Sequence, residues 1–160
     1  MKKLKSFVIE QSKTEFYSNH AGTALVGQLL ARYSKIDQIF SRIGLKHGIS
    51  HADLARCYLG LVCRGKNDFE AVRQLKEDEF FQEAMGVSRI PSSEILRQRF
   101  DKNAEEMTPL TDLCNQTFLE NASVPVTPID MIDTGHVALD MDVFPMDNSG
   151  TQKEGVSYTY

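Results

Sequence analysis

Two carboxylates one residue apart, Asp140 and Asp142, stand in the otherwise apolar stretch "VALDMDVFPMDNSG" of Val137–Gly150. From His136 onward the hydrophobic period is two. Val137, Leu139, Met141 and Val143 fall on one face of an expected strand, and Ala138, Asp140, Asp142 and Phe144 fall on the other. The strand rise sets the two acids roughly 7 Å apart. Like charges so placed repel and are costly to desolvate, so they call for cations, donors or water. Hard oxygen ligands at a strand end suit Mg²⁺, and paired Mg²⁺ ions are a common device of phosphoryl chemistry. The competing reading is an exposed strand face with solvated acids.

A second stretch, "EDEFFQEAMGVSRIPSSEILRQRF", reads as helix, glycine turn and helix, which is helix-turn-helix grammar. In that reading the second helix begins at Ser92 or Ser93 and meets DNA through Arg97, Gln98 and Arg89. Ile95, Leu96 and Phe100 anchor it, and the free amides at its start are expected to be able to take a phosphate. Against this, Glu94 and Asp101 share the outer face with Arg97. Over residues 92–103, three bases (Arg97, Arg99, Lys102) oppose those two acids, leaving only +1, whereas phosphate binding rests on clustered bases. An ordinary helical hairpin is the plain alternative.

His47 and His51 in "HGISH" have the i, i+4 spacing of a helical zinc pair, but Gly48 and Ser50 interrupt the helix between them. They read as surface histidines. Three cysteines, Cys57, Cys63 and Cys114, lack metal-ligand spacing and fall in apolar helical patterns, so they read as reduced core residues.

The elements that must position these groups are helices as far as about residue 120. "TALVGQLLARY" sets Leu25, Val26, Leu29, Leu30 and Tyr33 on one expected apolar stripe. "KIDQIFSRIG" follows with Ile36, Ile39, Phe40 and Ile43, and Gly44 as an expected C-cap. Ser50 is the expected N-cap of "HADLARCYLGLVCRG". "NDFEAVRQLKEDEFFQEAMG" reads as one helix capped by Asn67 and stopped by Gly86. The last helix aligns Leu110, Leu113, Cys114, Thr117 and Phe118. After Val124 two prolines and a glycine in "VPVTPIDMIDTG" exclude a long helix. The expected boundary therefore lies near residue 122, with a helical region 1–122 and a β-containing region 123–160.

Charge divides the chain in the same place. Residues 121–160 carry one base, Lys153, and six acids (Asp130, Asp133, Asp140, Asp142, Asp147, Glu154), a balance of −5. The whole chain is at −4, so the rest is at +1. This argues against a nonspecific polyanion binder. The opening "MKKLKSFVIEQSK" has the charges of a signal peptide without its apolar stretch. No apolar run approaches the roughly 18 residues needed to span a bilayer, so a cytoplasmic protein without membrane contact is expected.

The stretch "LDMDVFPMDNSGTQKEGVSYTY" resembles the first catalytic segment of the group-1 DDE transposases of bacterial insertion sequences. "HAGTALVGQLL", "GKNDFEAVRQLKEDEFFQEAMG" and "IPSSEILRQRFD" resemble the same family in the same order. The resemblance implies a mainly α chain: an N-terminal helical bundle that handles transposon-end DNA, then the first strand or strands of an incomplete ribonuclease-H-like α/β domain. Carried over by position, Asp142 is the first acid of the Asp-Asp-Glu triad and a Mg²⁺ ligand, with Asp140 the lesser candidate. The sequence departs from the family pattern with Phe144 where a threonine is usual. It also lacks the downstream strands that carry the second Asp and the Glu. The expectation is an N-terminal fragment, catalytically inactive alone, with transposon-end DNA, full-length transposase or a second copy as partners. A non-enzymatic helical DNA-binding or regulatory protein is the alternative. The apolar run before Asp-x-Asp is also similar to the first motif of haloacid-dehalogenase-like phosphatases, which would make Asp140 a nucleophile and Asp142 a general acid. The residues after the motif are too few to supply that fold's remaining groups.

Overall fold

The computed structural model describes residues 20–122, apart from 46 and 67. These residues are mainly helical, with no strand among them, and no described helix is long and apolar enough to cross a membrane. The ribonuclease-H-like start expected after residue 122 lies outside the described residues.

The chain enters helix α1 (Thr23–Leu29), which runs on into a π-helical turn at Leu30–Ser34. The turn is tied off by the Ser34 hydroxyl, which donates to Leu30 O at 2.6 Å and accepts from Ile36 N at 3.2 Å. Lys35 then takes a left-handed conformation (φ 51°) and reverses the chain into α2 (Ile36–Phe40). The expected stripe is inward only in part: Val26 and Leu30 pack half-buried against the core and Tyr33 meets Phe118, but the most buried residues of α1 are small ones. Thr23, Ala24 and Gly27 face inward, while Leu25 and Leu29 are 63% and 45% exposed. The reason is close approach: a Cβ on Gly27 would stand 1.8 Å from the Ala84 carbonyl oxygen. Only small residues let the α1 backbone lie this near to that of α4.

Helix α3 (His51–Cys63) begins as expected at Ser50, whose hydroxyl accepts from Asp53 N at 3.0 Å. It closes in a Schellman motif at Gly65, φ 70°, with Lys66 N bonded to Leu61 O and Gly65 N to Val62 O. The α2 helix, by contrast, ends at Phe40, short of the expected cap at Gly44.

The single helix expected from Asn67 to Gly86 is two elements. A 3-10 helix, Phe69–Leu75, starts at Asp68, and α4 (Glu79–Met85) starts at Asp78, which leaves helical geometry and accepts from Phe81 N at 2.8 Å. Asp78 also meets Arg64 at 2.8 Å. Burial alone would raise the Asp78 carboxyl, but the hydrogen bonds from Arg64 and Phe81 N, with the Arg64 charge, hold it below the usual carboxylate range. That anchored cap interrupts the helix. Gly86 (φ 66°) stops α4 as expected, in a second Schellman motif with Val87 N on Gln82 O and Gly86 N on Glu83 O.

Helix α5 (Ser93–Lys102) leads through Asn103 into α6 (Ala104–Asn121). Two cores result. One joins α3, the 3-10 helix, α4 and α5 through Leu54, Leu61, Val72, Phe81, Met85 and Leu96. The other packs α2 and α6 against the start of α3 through Ile36, Ile39, Phe40, Ala52, Met107 and Cys114. Phe100 borders both, and stacks with Tyr58 and Phe69 at centroid distances of 5.4 and 5.9 Å. Cys57 and Cys114 are buried as expected, and burial pushes their thiols up to about 12 and about 11. Cys63 is exposed, so it is not a core residue. It occupies the same side of α3 as the exposed Leu59 and Val62.

Candidate nucleic-acid interface

Helix α5 is held from beneath and open above. Ser93 and Leu96 are fully buried and Phe100 is half-buried, whereas Glu94, Ile95, Arg97, Gln98, Asp101 and Lys102 are exposed. The helical period puts Gln98 near the middle of the open face and Arg97 toward the 3-10 helix. Ile95, expected as an anchor, is 39% exposed, so Leu96 and Phe100 carry the anchoring. Arg89 is exposed in the segment between α4 and α5. All three residues expected to read DNA are thus open to a ligand, two of them on one helix.

The electrostatics of this face are balanced. Arg97 Nη2 lies 3.4 Å from Glu70 Oε1 on the 3-10 helix. Arg73, which the sequence pattern did not single out, lies 2.9 Å from Glu70 and 3.5 Å from Glu94. Two bases and two acids therefore form a lattice between the 3-10 helix and α5, its side chains 41–65% exposed. Exposed pairs of this kind contribute little to stability, so a phosphate can take a guanidinium from the lattice at small cost.

The expectation that free amides at the start of α5 take a phosphate is corrected by the cap. Ser92 Oγ accepts from Ile95 N at 3.3 Å. Hydrogen bonds from its own backbone N–H and from Ser92 hold the Glu94 carboxyl below the usual range. An ionised acid therefore sits where an anion would bind. Any phosphate contact here falls to side chains.

One of the two histidines differs from expectation. His47 is exposed, but His51 is 4% exposed and belongs to a buried polar group around the start of α3. There Arg56 grips Asp37 of α2 through both terminal nitrogens, at 2.6 and 2.7 Å. Asp53 accepts a hydrogen bond from Ser88, in the segment that leads to α5. A cavity of about 720 Å³ is lined by these side chains and by Ser50 and His51. The buried Arg56 Nε has no partner. Sequence spacing gave no signal for these contacts, whose members lie far apart along the chain.

Asp140 and Asp142 lie outside the described residues. Among the described residues no group of three or more His, Cys, Asp or Glu side chains is placed to hold a metal ion, so a Mg²⁺ site would rest on the acids beyond residue 122. No family model matches the chain, and neither a curated protein nor a solved structure matches it.

Proposed function

We propose that this chain is the N-terminal part of a DDE-type insertion-sequence transposase, whose helices handle transposon-end DNA. The observation that carries the reading is the order of four family-like stretches along the sequence. Three of them fall largely in described elements that pack on one another. Gly27 of the first lies against the Ala84 backbone of the second, and Arg97 of the third meets Glu70 of the second. In this reading Arg97, Gln98 and Arg89 contact the duplex, with Arg73 beside them. Asp142 is the triad acid that would hold Mg²⁺, with Asp140 the lesser candidate; the bound ion would supply Lewis acidity for hydrolysis and strand transfer. The 160 residues alone are expected not to cleave DNA.

The test uses the purified chain and duplexes carrying the element's terminal repeats or a scrambled sequence. Three phosphate contacts, from Arg73, Arg89 and Arg97, imply a roughly 40-fold loss of affinity between about 50 and about 200 mM salt. Arg97→Ala is expected to lower the salt exponent by about 0.9. No binding at low salt, or binding indifferent to Arg97→Ala, would sink the interface. Mg²⁺-dependent nicking by the chain alone would overturn the expected inactivity.

A second reading, a non-enzymatic DNA-binding or regulatory protein, is favoured by the two closed cores among the described residues. It shares the binding prediction. It fails if the activity depends on Asp142 and a catalytic domain encoded in continuation with this chain.

A further inference from the structure

His51 opens α3, is 4% exposed, and presents Nε2 to Arg99 Nη2 of α5 at 2.8 Å. The same Arg99 nitrogen reaches Ile49 O at 3.5 Å. A guanidinium has donors only and does not lose its proton in proteins. The ring nitrogen facing it must therefore accept, which fixes His51 as the neutral tautomer with its proton on Nδ1. A second proton on the ring would set two N–H groups and two positive charges against each other across that gap. The start of α3 adds to the cost, because a helix N-terminus disfavours a cation.

We propose that His51 is an acid-sensitive latch, which fastens α5 to α3 while neutral and releases Arg99 when protonated. Charged groups face this corner from each packed element. Arg99 comes from α5, Glu106 from α6 and Asp37 from α2, while Asp53 and Arg56 stand further along α3 itself. Burial and then Arg99 push the imidazole below its ordinary value, and the opposing pull of Glu106 does not reverse the direction. A histidine lowered in the folded state leaves the unfolded chain binding more protons just below about pH 6.5. The latch therefore contributes in full above that pH, weakens as pH falls through it, and levels off below the folded value. The same release would loosen the helix that carries Arg97 and Gln98. The latch rests on the His51–Arg99 contact and needs no DNA.

The experiment is a pH titration of the full chain by NMR, read at the His51 ring nitrogens, with amide hydrogen exchange along α5. His51 is expected in the Nδ1–H tautomer and titrating below about 6.5. Exchange of α5 amides, corrected for intrinsic rate, should speed up between about pH 7.5 and about pH 5.5. His51→Gln keeps an acceptor near the Nε2 position without a titrating proton, and should flatten that dependence. An Nε2–H tautomer, titration at or above about 6.5, or parallel exchange profiles for wild type and His51→Gln would overturn the latch. If His51→Gln does not fold, the wild-type tautomer and titration decide alone.

Discussion

Two sets of charged side chains hold α5 and its neighbours, and water separates their roles. Around the start of α3, Arg56 keeps only 4% of its side chain exposed and spends both terminal nitrogens on Asp37. Across the 3-10 helix and α5, Arg73 and Arg97 are 65% and 51% exposed and share Glu70 at longer range. Both sets pair arginine with acid. In the first, the arginine is desolvated and its partner prevents an uncompensated buried charge. In the second, solvent screens the attraction and the guanidiniums remain exchangeable. An arginine's availability to an outside anion is therefore set by burial and geometry rather than by charge count.

The scale for both sets comes from a purely steric contact. Gly27→Ala would press a methyl group into the Ala84 carbonyl, backbone against backbone, with no flexible side chain to give way. The substitution gains about 1 kcal/mol of helix propensity and is still expected to cost about 2–4 kcal/mol net. Gly22→Ala has open space around it and serves as the control. Chemical denaturation of the pair should separate them clearly. Equal stabilities would mean that α1 can move away from α4.

Breaking the buried set comes next. Asp37→Asn removes the charge that faces Arg56 and leaves that guanidinium desolvated at the start of α3. Because Asp37 itself is 45% exposed, water can partly replace it, so the expected cost is about 1–3 kcal/mol. It should be measured at pH 7 and again in high salt. A loss that disappears in salt would place this pair with the exposed lattice and erase the contrast.

The parts of this architecture that were legible in the sequence rest on local chemistry. Ser50 and Gly86 act as caps as expected, and α5 starts where the two serines place it, with Ser92 as its cap, because a cap's partner lies within a few residues. The α6 stripe is likewise on its inward side, with Cys114 buried. The failures come from distance. Leu25 and Leu29 are left outside and Gly27 lies deepest because α4 comes so close, which α1 alone does not encode. Asp78 breaks the expected long helix by accepting from Phe81 N while Arg64, 14 positions upstream, holds its other oxygen. His51 looked like a surface residue because Arg99 stands 48 positions away. In the candidate interface, exposure of Arg97 and Gln98 follows from the α5 period, while Arg89 is exposed in the segment before that helix. The neutralising role of Glu70, 27 positions upstream of Arg97, does not follow from it.

The smallest expected effect is the most discriminating. Arg97→Ala removes a 3.4 Å contact between half-exposed side chains and creates no cavity beneath it, since Leu96 and Phe100 carry the packing. Glu70 keeps Arg73 at 2.9 Å, so no acid is left without a base. Folding stability should therefore change by no more than about 0.5 kcal/mol, while the salt exponent for DNA binding falls. The two measurements together separate a residue kept for a ligand from one kept for the fold. If Arg97→Ala destabilises the chain by more than about 1 kcal/mol, the exposed lattice fastens α5 to the 3-10 helix, and the interface must be sought through Arg89 and Gln98 alone.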